Sequence, residues 1–596
     1  MTPLNINNFS RMNKIKDSFL FSPLIIVSLI CFSCQSKSAN EATLQQGLVG
    51  YWKLSKDILD YSGNKLPTKE KKADNMNYED DNDNPKERKR WIEVNASPKL
   101  QFADKDFTIT AWVNLSENNV TGDILSQYDI SKRKGFHLSV KTNPSPSGVA
   151  NSSQLSFGID DNISMQWEDC GRPGNALMAY GLTEYKGILY AGTCEPRLGD
   201  AGHVYRYDSS NQAWIDCGSP DQSNSVIALT EYEGKLYAGT GKYRVAGSSL
   251  PESENTTLGG RIFRLEEPNN WVDCGRLPDV ESIASLVVYN GALYASSLYS
   301  PGFFKYDKND QWLDCGVPDG KRVVSFGVFD GYLFATSYDV GNVYRYDGSE
   351  WIDCGQVGDN TQCYGFSTYQ GELHVSTWRS GRVFAYEGIN NWRDVGRLGN
   401  ELEVMGLITH NGQLLGGTLP LAEAYVYEGD TIWRRMDQLD KTENVIYRRA
   451  WTMAEHNGKV YCSTLPSGHI YSYEAGKSVT WDKSFPAGWH HIVVSKSINS
   501  LKLYVDGELV NETMIPDSLI FNLESTAPLK IGFGQNDIFK GQIKEVRLYN
   551  RMLKEEEIES LTISLQTVAN SLKTPIGFLV EKFQTSPLTT HRKIVV

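Results

Sequence analysis

The chain has 596 residues, 40% hydrophobic and 22% charged, with a net charge of −13. It is too long for one ordinary domain and apolar enough for large packed cores. The acidic balance, with no lysine- or arginine-rich block, excludes a surface that tracks nucleic-acid phosphates.

The N-terminus reads as an export signal over residues 1–33. Lys14 and Lys16 precede an apolar run, Phe19 to Phe32, interrupted by Ser22, Pro23 and Ser28. About 14 residues fall short of the roughly 20 that a membrane-crossing helix needs; an N-terminal membrane anchor is the alternative. Met12 stands just before the basic pair and is a second candidate start. The run ends in Cys31-Phe-Ser-Cys34, which resembles a bacterial lipobox, with Cys31 where the pattern prefers Leu. The resemblance implies cleavage behind Ser33 and acylation of Cys34. That would tie the protein to the outer membrane of the cell envelope as its only membrane contact, on a side left open. Residues 34–46 read as a linker.

Residues 47–165 hold short alternating strands. Gly47 to Leu54 and the Asp60-Tyr-Ser-Gly-Asn64 turn open this part, and Phe107-Thr-Ile-Thr-Ala-Trp-Val113 alternates like a half-buried strand. Ile124–Tyr128, Gly135–Val140 and Leu155–Ile159 continue it.

Residues 166–477 repeat. Trp-x-Asp-Cys-Gly begins at Trp167, Trp214, Trp271, Trp312 and Trp351, with degenerate copies at Trp392 and Trp433, at spacings of 47, 57, 41, 39, 41 and 41 residues. A Gly-x-Leu-Tyr phrase keeps step at Gly187, Gly234 and Gly291 and drifts at Gly331, Gly371, Gly412 and Gly458. One unit reads as four strands, for example Ile227–Tyr232, Lys235–Thr240, Arg261–Leu265 and Trp271–Cys274, with Glu233-Gly234 as a tight hairpin turn. Four strands in about 40 residues is the size of a propeller blade. The segment starts on a lone fourth strand at Trp167 and ends three strands into a unit, so joining its ends closes a ring of seven blades. The pattern resembles kelch repeats. It departs at the end of the second strand, where Gly-Thr (Gly192, Gly239, Gly417) or Ser/Thr replaces Gly-Gly, so the resemblance implies the fold and not a partner.

Residues 478–563 supply Trp489-His-His, Tyr504-Val-Asp-Gly507 and Gly541-Gln-Ile-Lys-Glu-Val-Arg-Leu-Tyr-Asn550. Together with 47–165 these phrases resemble the laminin-G-like, concanavalin A-like jelly roll of bacterial surface proteins. The expected fold is therefore all-β: a laminin-G-like sandwich split by an inserted, self-closing propeller. Residues 564–596 match no named pattern.

Several groups invite a chemical reading. His490 and His491 are adjacent on a strand, so they point to opposite faces and do not share an ion. Asp60 and Asn64 sit where related domains often bind calcium, but Lys544-Glu545 stands where relatives often have an acidic pair; a Ser-Gly-Asn turn is the alternative, and no other cofactor is expected. The recurring Asp169, Asp216, Asp273, Asp314, Asp353 and Asp394 are expected to cap turns. Cys170, Cys217, Cys274, Cys315 and Cys354 recur as small buried hydrophobes; Cys363 has no assigned role, and Cys194 and Cys462, in neighbouring units, are placed to pair if any two cysteines are. Ser337-Tyr-Asp339-Val-Gly341 matches the start of a sialidase Asp-box once, without an arginine triad, and no Tyr/His/Cys copper set is assignable. On the face that carries the inter-strand loops, Tyr299, Tyr338, Asp339, Trp378 and Arg379 offer aromatic rings with neighbouring charge, suited to a sugar or an anionic group. The polar loop from Gly241 to Gly260 is placed to cover the same face. The expectation is a non-catalytic exported protein that binds carbohydrate or protein through the sandwich and the propeller loops. A carbohydrate-active hydrolase or lyase, needing two carboxylates across the central pocket, and a structural adhesion module are the alternatives.

Overall fold

The computed structural model describes residues 43–72, 90–116, 121–144, 150–267 and 269–571. The export signal, Cys34 and residues 572–596 lie outside these.

Two sheets form the sandwich, and each draws strands from both sides of the repeat region. Before it come β1 (Leu48–Trp52), β2 (Thr68–Lys72), β3 (Arg90–Val94), β4 (Phe107–Leu115), β5 (Gly122–Asp129), β6 (Lys134–Pro144) and β7 (Ala150–Ser164). After it come β8 (Ala475–Trp481), β9 (Trp489–Lys496), β10 (Ser500–Val505), β11 (Glu508–Met514), β12 (Leu529–Ile531) and β13 (Gly541–Tyr549). One sheet has the order β1-β13-β4-β9-β10-β11 and the other β2-β3-β12-β5-β6-β7-β8. Alternation in β4 sends Phe107, Ile109, Ala111 and Val113 inward, where they are fully buried with Phe136 and Phe157 from the first part and Ile492, Leu503 and Val546 from the second. A single core thus needs both parts of the chain.

The intervening segment leaves at the end of β7 and returns at the start of β8. These strands are antiparallel neighbours, with Ser164 opposite Ala475 and Met165 N–H bonded to Glu474 O at 3.0 Å. β8 begins at Ala475, so the ring gives way to the sandwich three residues ahead of the expected boundary, because the ladder with β7 runs to that point. To the sandwich the ring is the loop of one hairpin, a site where insertion is tolerated.

The inserted residues form four-stranded antiparallel units over 178–216, 225–276, 283–314, 326–356, 362–397 and 403–438. A last unit joins three strands of 449–473 to Glu168–Asp169 from the start of the insert, through Tyr471↔Asp169 and Ser472↔Glu168. The innermost strands of successive units pack on one another, and that of the last packs on that of the first. The hairpin at Glu233-Gly234 has φ of 49° and 72°, a type I′ turn whose second position favours Gly.

Each residue of the repeated Trp-x-Asp-Cys-Gly phrase has a task. The indole Nε1 of Trp214, Trp271, Trp312, Trp351, Trp392 and Trp433 donates to a carbonyl in the preceding unit, Cys170, Cys217, Cys274, Gly316, Cys354 and Val395 respectively, at 2.9–3.2 Å. Each such bond is worth about 1 kcal/mol net, and at the buried Trp312 and Trp433 the donor would otherwise be stranded. The Trp214 bond to Cys170 joins the first unit to the strand that completes the last. The recurring Asp side chains accept the N–H of the Gly two residues on, at 2.7–2.9 Å. All eight described cysteines are free, so Cys194 and Cys462 do not pair; both are fully buried, and burial raises their thiol pKa to about 12 and well above the ordinary range, respectively.

The β5–β8 side of the sandwich lies across the hairpin end of the ring. His137, Ser139, Lys141, Gln154 and Ser156 point outward from the sandwich core yet are at most 5% exposed. Lys141 is ion-paired with Glu455 of the last unit. His137 Nε2 meets Asn411 Oδ1 at 2.8 Å, and Asn411 Nδ2 donates to Ile159 O at 3.0 Å and Ala475 O at 2.6 Å. Gln370 and Gly371 N–H groups bond Gln535 O and Asn536 O at 2.8 and 2.9 Å, and Lys540 reaches Asp330 at 2.8 Å. Across the other sheet, α1 (Glu555–Ser571) covers the outward His491, whose Nδ1 lies 2.7 Å from Thr562 Oγ1. This helix extends into residues that carry no sequence signal. Burial, reinforced by Arg547, pushes the His491 pKa down to about 3, so the ring is neutral. His490 turns the opposite way, to Asp506 at 2.7 Å.

Candidate functional site

The innermost strand of each unit ends in Tyr185, Tyr232, Tyr289, Phe329, Tyr369, His410 or His456. Five residues earlier stand Tyr180, Ile227, Ala284, Val324, Tyr364, Met405 and Trp451, one per unit, and these converge in a single apolar cluster. They plug the loop end of the ring axis. Tyr243 and Val245, from the loop over 241–260, complete the plug: Tyr180 packs edge-on against Tyr243 and Trp451, each with centroids 5.1 Å apart.

A charged pair lies within this apolar cluster. Seven residues before the same strand ends stand Glu403 and Arg449, 2% and 8% exposed. Arg449 Nε is 3.3 Å from Glu403 Oε1, its Nη1 donates to Ser248 Oγ of the loop at 2.7 Å, and its guanidinium lies 4.8 Å from the Trp451 ring centre. The Tyr364 hydroxyl is 3.0 Å from Glu403 Oε2. Burial pushes the Glu403 carboxyl up while Arg449 pulls it down; burial outweighs the rest. This pair ties the last two units and the long loop together.

The predicted binding residues surround the plug and are largely engaged. Tyr299, Tyr338 and Trp378 are half-buried against it. The Tyr299 hydroxyl accepts the Arg244 N–H at 2.9 Å, and the Arg244 guanidinium lies 4.3 Å from its ring centre. Tyr338 packs edge-on against Tyr364 at 5.0 Å. Asp339 accepts Arg322 Nε and Nη2 on one oxygen, at 2.8 and 2.6 Å, and Arg322 N–H on the other at 2.8 Å, which holds its pKa below the usual carboxylate value even against burial. Arg379 is exposed. The structure therefore gathers the three rings, spends Asp339 on Arg322, and leaves Arg379 in solvent.

At the other candidate site, Asp60 accepts Tyr51 N–H at 3.0 Å, Ser62 N–H at 2.9 Å and Leu66 N–H at 3.0 Å, while Asn64 Nδ2 donates to Val49 O at 3.0 Å. Among the described residues no group of three His, Cys, Asp or Glu side chains is placed to hold a metal ion.

Tyr364, Glu403, Arg449 and Trp451 belong to none of the motifs that sequence reasoning singles out, and Tyr243 falls in the polar loop read as a cover for this face. Aligning the units on the last residue of the first strand, rather than on the tryptophan phrase, puts the axial residues in register.

Residues 431–559 match the Laminin_G_3 family of the concanavalin A-like lectin/glucanases superfamily. No curated protein matches the chain. Among solved structures, it is similar to a catalytically inactive variant of virginiamycin B lyase from Staphylococcus aureus with quinupristin (10% identity, TM-score 0.40, 52% of this chain and 99% of that one). It is also similar to YCF48 bound to D1 peptide (9%, 0.38, 52% and 97%) and to the extracellular domain of BT4673 from B. thetaiotaomicron (12%, 0.39, 59% and 47%). With its two sheets and its closed series of four-stranded units, the chain is an all-β protein that joins a laminin-G-like sandwich to a ring of propeller type.

Proposed function

We propose that the protein is an exported, non-catalytic binding protein that takes a carbohydrate or protein partner on the loop face of a kelch-like, seven-bladed propeller. One observation carries this reading: the loop face is the open one. The ring's hairpin end is buried against the β5–β8 side of the sandwich, and α1 lies over His491 on the sandwich's other sheet. The sandwich then serves as the base that presents the ring. The loop face also carries exposed apolar side chains, Leu198, Leu258, Leu402, Leu421 and Ile446, of the kind that mark binding surfaces. The axial carboxylate, Glu403, is buried and paired with Arg449, which favours binding over hydrolysis.

The test is an array of glycans and envelope proteins probed with the purified chain. Leu258→Glu, Arg379→Glu or Leu421→Glu should lower binding, and Leu509→Glu or Met514→Glu, on the sandwich edge, should not. Binding lost only through the edge variants would overturn the assignment. Export and acylation at Cys34 belong to the same reading: Cys34→Ala should move the protein from the membrane to the soluble fraction, and continued membrane retention would count against a lipid anchor.

A further inference from the structure

The repeat spacing of 57 residues, the widest in the ring, reflects the long loop between Gly241 and Arg261. Its sequence is polar, yet it is pinned at many points. Glu252 accepts N–H groups of Val245, Ala246 and Ser253 at 3.3, 3.2 and 2.8 Å, and the Lys242 ammonium at 2.8 Å. Asn255 Nδ2 donates to Asp200 O and Gln222 O, both at 2.8 Å, and Gly259 N–H to Glu281 O at 3.1 Å. Ordering a long loop costs conformational entropy, and long loops that are kept ordered are usually functional.

Part of the loop closes the axis. Two of its residues, Arg244 and Leu258, with residues 276–281 and 299–300, wall a groove of about 600 Å³ on the loop face. Small-molecule sites commonly fall between about 300 and 1,000 Å³. Arg244 and Glu281 form an ion pair along one wall. Arg276 is exposed, with Nη2 3.4 Å from Val280 O, and Asp279 is exposed at a turn. Leu258, 51% exposed, and Tyr299 supply apolar surface.

Two guanidiniums and two carboxylates leave this groove without net charge. Arg276 only donates hydrogen bonds and Asp279 only accepts them. The matching ligand is neutral, has groups that do both, and has an apolar face to lie against Leu258 and Tyr299. We propose that the groove binds a neutral sugar ring; this rests on the binding role given above and locates its glycan form between the second and third units, away from Tyr338, Asp339 and Trp378.

The experiment titrates the full chain with neutral di- to tetrasaccharides, uronate oligosaccharides and short peptides, by calorimetry and ligand-observed NMR. A neutral saccharide should bind, and Arg276→Ala and Asp279→Asn should each weaken it by about tenfold, the loss of one good hydrogen bond to a charged group, at unchanged Tm, asparagine being chosen because residue 279 has a φ of 55°. Leu258→Glu should block the groove independently. Saccharide binding untouched by all three variants would overturn the groove while leaving the binding role intact. Binding of uronates alone, or of peptides alone, would overturn the neutral-sugar assignment. No binding by any ligand, together with a silent glycan and protein array, would remove both proposals.

Discussion

Lys141→Met should cost about 3–5 kcal/mol of stability, the usual penalty for removing one partner of a buried ion pair. Lys141 and Glu455 are 4% and 3% exposed at the seam between sandwich and ring, where His410 lies 3.5 Å from the same carboxylate. Lys141 and His410 hold the Glu455 pKa at about 2, against burial. A carboxyl depressed in the fold stabilises it above the unfolded pKa of about 4.3, and that stability is lost as pH falls toward 2. Without Lys141, burial dominates and the Glu455 pKa rises, so the variant should lose more at pH 8 than at pH 5. Urea unfolding followed at both pH values checks this. Lys141→Met/Glu455→Leu should recover most of the loss, since apolar replacement of both partners removes the stranded charge. A single variant within about 1 kcal/mol of the parent would mean that water reaches the seam.

Arg449→Met should cost a similar amount, about 3–5 kcal/mol, with a different signature. It strands Glu403 in the axial plug with the Tyr364 hydroxyl beside it, and it removes one of the two partners of Ser248 Oγ, leaving the Tyr243 hydroxyl at 2.7 Å. Hydrogen exchange at Val245–Ser248 should accelerate beyond what the global loss explains, because a local anchor has gone. Glu403→Gln/Arg449→Met should restore most of the stability and leave the loop freed. Unchanged exchange in the loop would show that the Glu252 contacts and the Tyr243 hydroxyl on Ser248 order it without Arg449.

The fold was legible wherever a short-range pattern forces a local shape. Trp-x-Asp-Cys-Gly could be read because its tryptophan and aspartate each meet a need that recurs from unit to unit, a bond to the preceding unit and a turn cap, while its cysteine is a buried filler at Cys170, Cys217, Cys274 and Cys354 and only half-buried at Cys315. Phe107–Val113 alternates because one of its faces is core. The axial site was less legible. Glu403 and Arg449 lie 46 residues apart in sequence and stand at positions where other units carry Met178, Ser225 or Ser282, so only alignment in register brings them together. The predicted aromatic residues lie beside the axial plug, but no local pattern signals that Arg244 lies on Tyr299 or that Arg322 occupies Asp339. Those partners come from other loops, and loop contacts carry no periodicity. α1 was missed because its residues lie across the boundary drawn at 563, between the end of the sandwich phrases and a tail that matches no named pattern.

β4 lies between β13 and β9, and both of these follow the ring in the sequence. During synthesis the chain therefore emerges with Phe107, Ile109, Ala111 and Val113 on a strand that has neither of its eventual neighbours until the whole insert has been made. The ring, whose contacts are between adjacent units, can close first, and its closure brings residues 164 and 475 side by side. The propeller then acts as a timer and a clasp for the sandwich, and strands β1 to β7 are the part of the described molecule that most needs protection from aggregation while they wait.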